Sequence, residues 1–188
     1  MIRRVISERG KMKLTFLMIL ILTPAAVFAQ DTRSAQLAEM KKLDFLIGEW
    51  KGEGWTEYVP GQRRTSPITE NVQSSLGGIV LMVEGLGKAK VAGKDEAVVT
   101  HNALGIITYD SDAKLYRITS YLADGRSTNA EADMIDGRFQ WRFKAPQGAS
   151  IRYTVKLSEK GEWFEIGEIS QNGKDWRQFH QMTLQKVK

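Results

Sequence analysis

From residue 48 onward, apolar and polar residues alternate with a period of two in short segments separated by turn residues. The alternation is strictest in residues 138–144 (RFQWRFK) and again in 151–157 (IRYTVKL). Such a pattern predicts strands with one buried and one solvent-facing side. Asp136-Gly137 and Asn172-Gly173 lie between apolar runs, where glycine tolerates the positive φ of a tight turn. The pattern therefore predicts short strands joined by hairpins.

About ten strands are expected after a short N-terminal helix over residues 34–46. Short connections favour antiparallel pairing of chain neighbours. Closure removes the two long edges that an open sheet would leave. We therefore expect an all-β, antiparallel up-and-down barrel, with a two-sheet sandwich as the alternative. The expected strands are 49–58, 66–76, 79–87, 97–109, 115–123, 127–134, 138–145, 150–158, 162–170 and 176–186.

Several positions expected on the inside of this barrel carry small residues. Barrels of eight or more strands hold a small ligand when side chains do not fill the interior. Small residues indicate either such a cavity or, for glycine, a bend or bulge in a strand. Both interpretations stay open, and so do the faces of 79–87 and 97–109, which are apolar on both sides. The small residues are Gly52, Gly54, Gly85, Gly105, Ala130 and Ala132.

The N-terminus has the order of a secretory signal peptide. A basic stretch precedes an uncharged apolar run from Leu14 to Phe28, which closes at Val27-Phe28-Ala29. This order predicts a signal peptide over residues 1–29, with translation beginning at Met1 or Met12. The run is shorter than a membrane-spanning helix, so no stable span is expected after cleavage. The expected organisation is then an N-terminal segment over 30–46 and one barrel domain over 47–188, in a periplasmic or secreted protein.

Charge and cysteine content narrow the possible partners. The chain of 188 residues has 27 Lys and Arg against 22 Asp and Glu, and five of those basic residues lie in residues 1–29. The remainder is nearly balanced and has no basic cluster, which argues against nucleic-acid binding. The sequence contains no cysteine, so neither disulfides nor thiolate zinc sites are expected.

Three segments resemble a known family. Residues 46–54 (LIGEWKGEG) look like the opening strand of calycin-type barrels, in which Gly-x-Trp places an indole across one end. Residues 101–105 (HNALG), followed by Tyr109-Asp110 and Tyr116-Arg117, and residues 170–176 (SQNGKDW) complete a pattern similar to the bacterial DUF1579 family. The resemblance covers roughly residues 40–186 and implies a calycin-like barrel without an established activity. Nitrobindin-type haem barrels are also similar, with a histidine on the last strand where His180 stands here.

Candidate binding residues are those whose type suits a lumen. His180 shares parity with Met182 and Leu184 and could ligate haem iron or simply hydrogen-bond a neighbour. Glu168 shares parity with Phe164 and Ile166, which favours an inward carboxylate, whereas the faces of Glu70 and Glu165 stay open. No catalytic set or metal site is predicted. The candidate ligand-binding residues are Trp50, His101, Tyr121, Trp141, Glu168 and His180.

These features favour one function over three others. The first hypothesis is an exported barrel that binds a small, mostly apolar molecule, without a cofactor. One alternative is a haem-binding barrel with His180 as the iron ligand. Another is a non-catalytic envelope module that contacts a partner through exposed aromatics such as Trp55 or Trp163. An enzyme has the least support, since no nucleophile-presenting motif or phosphate loop is present.

Overall fold

The computed structural model describes residues 25–89 and 96–187, with side chains from residue 32 onward. Within these ranges, ten strands close into an antiparallel barrel, β1-β10-β9-β8-β7-β6-β5-β4-β3-β2. This confirms the predicted all-β up-and-down barrel over the sandwich. The strands are β1 (Gly48–Thr56), β2 (Arg64–Ser75), β3 (Val80–Ala89), β4 (Val98–Asp110), β5 (Leu115–Leu122), β6 (Ser127–Ile135), β7 (Arg138–Lys144), β8 (Ser150–Leu157), β9 (Trp163–Ser170) and β10 (Arg177–Lys186).

Closure joins the first strand to the last. The register of β1 against β10 runs from Trp50 opposite Lys186 to Thr56 opposite His180. Both strands therefore have partners on either side, and neither forms an exposed edge. Asp136 and Gly137 both have positive φ, 49° and 72°, as the predicted hairpin turn between β6 and β7 requires.

The N-terminal helix differs in its limits from the expected one. Helix α1 spans Ala25–Lys41, and a separate 3-10 turn covers Asp44–Leu46. The predicted helix over 34–46 thus begins too late and joins two segments. Most of the predicted signal peptide, residues 1–24, lies outside the described residues. No helix in the described ranges is long and apolar enough to cross a membrane.

Helix α1 and the turn after it cover one end of the barrel, here called the helix end. Met40, Leu43 and Leu46 are almost completely buried there. The Tyr116 hydroxyl donates to the Glu39 carbonyl oxygen at 3.0 Å, which ties the helix to β5. The opposite end, bounded by the loops after β1, β5, β7 and β9, is here called the loop end.

Candidate functional site

A connected set of titratable side chains, here called the polar row, lies on the inner face of the barrel. Strand alternation fixes the inner face, because Glu70 shares it with buried Val72 and Glu165 shares it with buried Trp163. The row runs toward the loop end, where its last two members lie. Its members are Glu70 on β2, Glu165 on β9, Tyr153 on β8, His180 on β10 and His101 on β4.

The inner end of the polar row is a pair of buried carboxyl groups. Glu70 is 9% exposed and Glu165 is 7% exposed. Burial raises the pKa of Glu70 to about 8, and the nearby charge of Glu165 adds to that increase. Burial also raises the pKa of Glu165 to about 7, although the Trp163 indole N–H opposes this by donating to its Oε2 at 3.2 Å. The pair therefore holds protons that exposed glutamates release.

Glu70 has no hydrogen-bond or ion-pair partner among the described residues. Its carboxyl group lies over Gly85 of the neighbouring strand. A Cβ atom built on Gly85 would lie 2.8 and 2.9 Å from the two carboxyl oxygens. The bare glycine therefore provides the space that the carboxyl occupies, and the side chain remains available to a ligand.

Aromatic rings form the wall beside the carboxyl groups. Tyr153 and Trp141, opposite each other on β8 and β7, stack with centroids 4.1 Å apart and planes at 10°. The Tyr153 ring also lies over Gly167, where a Cβ atom would approach it to 2.7 Å. Trp141 and Phe143 retain partial exposure although both belong to the inner face. This half of the interior is thus less tightly filled than the helix end.

The glycines divide between the two interpretations left open by the sequence. At Gly85 and Gly167 a neighbouring side chain from the lumen occupies the space, whereas a Cβ on Gly52 would meet the backbone of β10. Gly52 therefore serves close strand packing. Gly105 is different again, because its nearest atom would be Val83 Cβ at an ordinary 3.6 Å. A side chain at position 105 would extend into the lumen.

The two histidines come together at the loop end, although they are far apart in sequence. His180 follows a bulge in β10 and has its ring 5.8 Å from that of Tyr153. Burial lowers the pKa of His180 to about 4, and the charge of His101 lowers it further. Burial also lowers the pKa of His101. Both imidazoles are therefore neutral at physiological pH and can accept or donate one hydrogen bond each.

Trp50 closes the other end of the lumen, as the calycin resemblance implies. It is 2% exposed, and its indole N–H donates to the Leu46 carbonyl oxygen at 2.7 Å. Its ring meets Trp163 edge-on at 5.8 Å. Lys186 places its ammonium group 5.3 Å from the same ring. Trp50 thus forms the floor of the site.

The loop after β1 reaches over the mouth of the lumen. Tyr58 in this loop stacks on Phe179 with centroids 5.5 Å apart, and Phe179 in turn meets Tyr153 edge-on at 5.7 Å. Arg126, in the loop on the opposite side of the barrel, is close enough for its charge to lower the pKa of Tyr58 against the effect of burial. Tyr58 is 71% exposed and covers Phe179 at the rim of the loop end.

Three placements expected from the sequence are wrong. Glu168 lies on the outer face, where its carboxylate accepts a hydrogen bond from Arg152 Nε at 2.7 Å. The apolar neighbours that suggested an inward position, Phe164 and Ile166, are themselves on the outer face of β9. Tyr121 is 52% exposed and also points outward. Trp163, considered as an exposed contact residue, is 4% exposed inside the barrel.

Of the six candidate residues, Trp50, Trp141 and His180 line the lumen, and His101 lies on the same inner face at the exposed start of β4, whereas Tyr121 and Glu168 face outward. Sequence reasoning left the faces of Glu70 and Glu165 open and did not select Tyr153 as a candidate. For Glu165 the available signal was its shared parity with Trp163, the residue that defines the inner face of β9. For Tyr153 it was strict alternation with Val155, which is buried.

Two clefts lie outside the lumen. One is bordered by Ile169, Asn172 and Arg177, and the other lies beside Phe45 and Leu157. Neither contains a member of the polar row. Within residues 25–89 and 96–187, no group of three or more acidic or histidine side chains is arranged to hold a metal ion.

Comparison with known proteins supports the fold. No protein-family model matches the chain, and no curated protein matches it in sequence. Among solved structures, the chain is similar to the S-type phycobiliprotein lyase CPES from Guillardia theta, with a TM-score of 0.57 and 12% sequence identity. The similarity covers 86% of this chain and 98% of that one. The likeness therefore extends over the whole barrel, which is calycin-like.

Proposed function

We propose that this protein binds a small, mostly apolar molecule in the lumen of its barrel. The observation that carries the proposal is Glu70, a carboxyl group on the inner face that is 9% exposed and has no hydrogen-bond or ion-pair partner among the described residues. The part of the chain that the structure describes has no fully enclosed side-chain oxygen without a hydrogen-bond partner, so the Glu70 oxygens keep contact with accessible space that a ligand can reach. The partly exposed inner rings of Trp141 and Phe143 supply apolar contact area beside it.

Two further considerations support a binding role. Helix α1 closes one end and leaves the loop end for entry, as expected of a barrel with a single mouth. The structurally similar protein is named a phycobiliprotein lyase, so a barrel of this shape serves a protein that acts on another molecule. Fold alone does not determine function, so the argument rests on the site.

The proposal includes export. The N-terminal basic and apolar pattern supports a signal peptide and a periplasmic or secreted location. The motifs in residues 46–54, 101–105 and 170–176 support membership of the DUF1579 family. Expression of the full chain in a bacterial host, followed by intact-mass measurement of the periplasmic fraction, tests this part. A product that starts at Gln30 supports export, and an uncleaved cytoplasmic product contradicts it.

The binding test uses a neutral apolar fluorophore, N-phenyl-1-naphthylamine, whose emission rises in apolar surroundings. Gly105→Leu fills the lumen without a backbone clash, because the Cβ position is open. Asn102→Leu adds the same side chain to the exposed outer face of the same strand. We expect Gly105→Leu to weaken binding about tenfold or more, a loss of ~1.4 kcal/mol, and Asn102→Leu to leave it unchanged. Equal binding by both variants, or no binding by the wild type, contradicts a luminal site.

Haem binding through His180 is a second candidate. It is favoured by the neutral state of His180 and its position at the mouth, since neutral imidazole is the form that ligates iron. Addition of haemin to the purified protein should then give a Soret band that is lost in His180→Ala but kept in His101→Ala. A band that persists in His180→Ala, or none at all, rejects this assignment.

A further inference from the structure

Resting on the proposed function, the inner face assigns a chemical class to the ligand. We infer that the lumen accepts an apolar molecule carrying a protonated amine, with Glu70 and Glu165 as its counter-ions. The inference goes beyond a mostly apolar ligand, because it specifies the sign of the ligand's charge and the residues that recognise it.

The two faces of the barrel differ in how their acidic groups are paired. The arginines and lysines that form ion pairs in the described ranges pair with acidic residues other than Glu70 and Glu165. Arg64, the arginine nearest to Glu70 in sequence, lies at the exposed start of β2, and Arg152, on the strand next to that of Glu165, points outward to Glu168. A ligand carboxylate would therefore enter a lumen in which neither buried carboxyl group has an ion-paired cation among the described residues.

The carboxyl groups of Glu70 and Glu165 influence each other. They are near enough for the charge of Glu165 to disfavour ionisation of Glu70. Within the buried interior such repulsion is relieved by a proton or by a cation between the groups. A protonated amine supplies up to three donors, whereas Glu165 receives one hydrogen bond from Trp163 and Glu70 receives none among the described residues.

Aromatic rings surround the two carboxyl groups. Trp163 lies directly beside Glu165, whereas the ring of Trp50 already has the Lys186 ammonium group 5.3 Å from its centroid. Indole faces attract cations through their quadrupole, most strongly where water is excluded. Trp141, stacked on Tyr153, provides apolar area for the rest of the ligand. The lumen thus combines a pair of carboxyl groups, which a cation can ionise, with an aromatic wall, and this combination suits a hydrophobic amine.

The test compares three probes with one ring system and different charges: 1-naphthylmethylamine, 1-naphthalenemethanol and 1-naphthoic acid. Binding to the purified protein is followed near neutral pH by calorimetry and by quenching of tryptophan fluorescence. We expect the amine to bind about tenfold or more tighter than the alcohol, and the acid to bind weakest.

Three variants locate the preference. Glu70→Gln and Glu165→Gln replace each carboxyl group by a neutral group of the same shape, and the amine-to-alcohol ratio should fall toward one. Glu84→Gln is the matched control, since Glu84 lies on the outer face of β3 and only accepts from Asn71 at 3.1 Å. Circular dichroism shows whether each variant is folded. The control should keep the ratio of the wild type.

The outcomes separate the two proposals. If amine and alcohol bind equally, or if the ratio survives in both Glu70→Gln and Glu165→Gln, the amine assignment is wrong while luminal binding stands. If the acid binds best, the amine assignment is wrong, because the lumen then prefers an anion. If the folded wild type binds none of the three probes at millimolar concentration, luminal binding of small apolar molecules fails together with the assignment.

Discussion

Strand β9 carries two glutamates, three residues apart, in opposite situations. Glu168 faces outward and accepts a 2.7 Å hydrogen bond from Arg152, which also stacks on Trp176 at 4.0 Å. Glu165 faces inward, is 7% exposed, and among the described residues accepts one hydrogen bond, from the Trp163 indole N–H at 3.2 Å. Because side chains alternate along a strand, one glutamate of β9 has a cationic partner on the outer face and the other lies inside without one among the described residues.

The carboxyl groups of the two faces affect stability differently. Outer ion pairs of this kind add little stability and keep the surface soluble. Buried carboxyl groups without a counter-ion destabilise the fold, and apolar residues of similar size would serve the core better. Local conflicts with stability are expected where a protein has a function to perform. The inner face is therefore where binding should be sought.

The largest expected effect contrasts two aromatic residues. Phe139 is 2% exposed and meets Tyr116 edge-on at 5.4 Å, whereas Tyr121 is 52% exposed. Phe139→Ala should lower the free energy of unfolding by about 3–5 kcal/mol, because it leaves a cavity in the core. Tyr121→Ala should change it by about 0.5 kcal/mol or less. Urea denaturation measures both. Similar losses for the two variants would show that the assignment of faces on β5 and β7 is wrong.

The barrel itself could be predicted because its signals are local. Alternation in β7 and β8 and the Asp136-Gly137 turn determine strand and connection without reference to distant residues. The limits of helix α1 could not be predicted in the same way. The spacing of Leu37, Met40 and Phe45 reports packing onto the barrel, which continues through the 3-10 turn after the helix has ended at Lys41.

The second prediction concerns pH and Glu70. Its pKa rises from 4.5 to about 8 on folding, so between these values the folded protein holds a proton that the unfolded chain has released. Stability should therefore fall as pH rises through this window. Glu70→Gln removes the penalty and should raise the free energy of unfolding by about 3 kcal/mol at about pH 9, and by much less at about pH 5.

The control for this prediction is Glu84→Gln on the outer face of the adjacent strand. Its denaturation midpoint should follow the wild type at both pH values. A Glu70→Gln variant that is less stable than the wild type at high pH would mean that the carboxylate has a stabilising partner in the folded protein. That result would also weaken the proposed role of Glu70 in binding.

The third prediction concerns His180, whose pKa is lowered by burial from 6.5 to about 4. Between these values the unfolded chain binds a proton that the folded protein does not, so stability falls as pH drops through the window. The groups that face it are His101 and Tyr153, with a hydrogen bond to the Trp55 backbone acting against the shift. The free energy of unfolding of His180→Gln should exceed that of the wild type by about 2 kcal/mol at about pH 4.

Near pH 7, where His180 is neutral in both states, the same variant should differ from the wild type by about 0.5 kcal/mol or less. Thermal denaturation followed at both pH values gives the comparison. Parallel pH profiles for variant and wild type would mean that the imidazole is not held in its neutral form by burial.

The candidate site was harder to predict than the barrel, for a physical reason. The face of a strand is determined by its most buried residue, and in β9 both parities carry apolar side chains. The packing of Trp163 against Trp50 shows which face of β9 points inward, and this contact joins strands far apart in sequence. The meeting of His101 and His180 depends equally on β4 and β10 lying in one closed barrel.

The smallest expected effect is on the outer pair. Glu168 and Arg152 have side chains that are 19% and 30% exposed, so water screens their attraction only in part. Glu168→Gln should lower the free energy of unfolding by about 0.5–1 kcal/mol, and about 1 M salt should reduce the loss. A double-mutant cycle with Arg152→Gln isolates the pair from the contact between Arg152 and Trp176. A loss above about 3 kcal/mol that salt does not reduce would show that Glu168 behaves as a buried charge. Glu168 and Glu165 would then not differ in their contribution to stability as proposed.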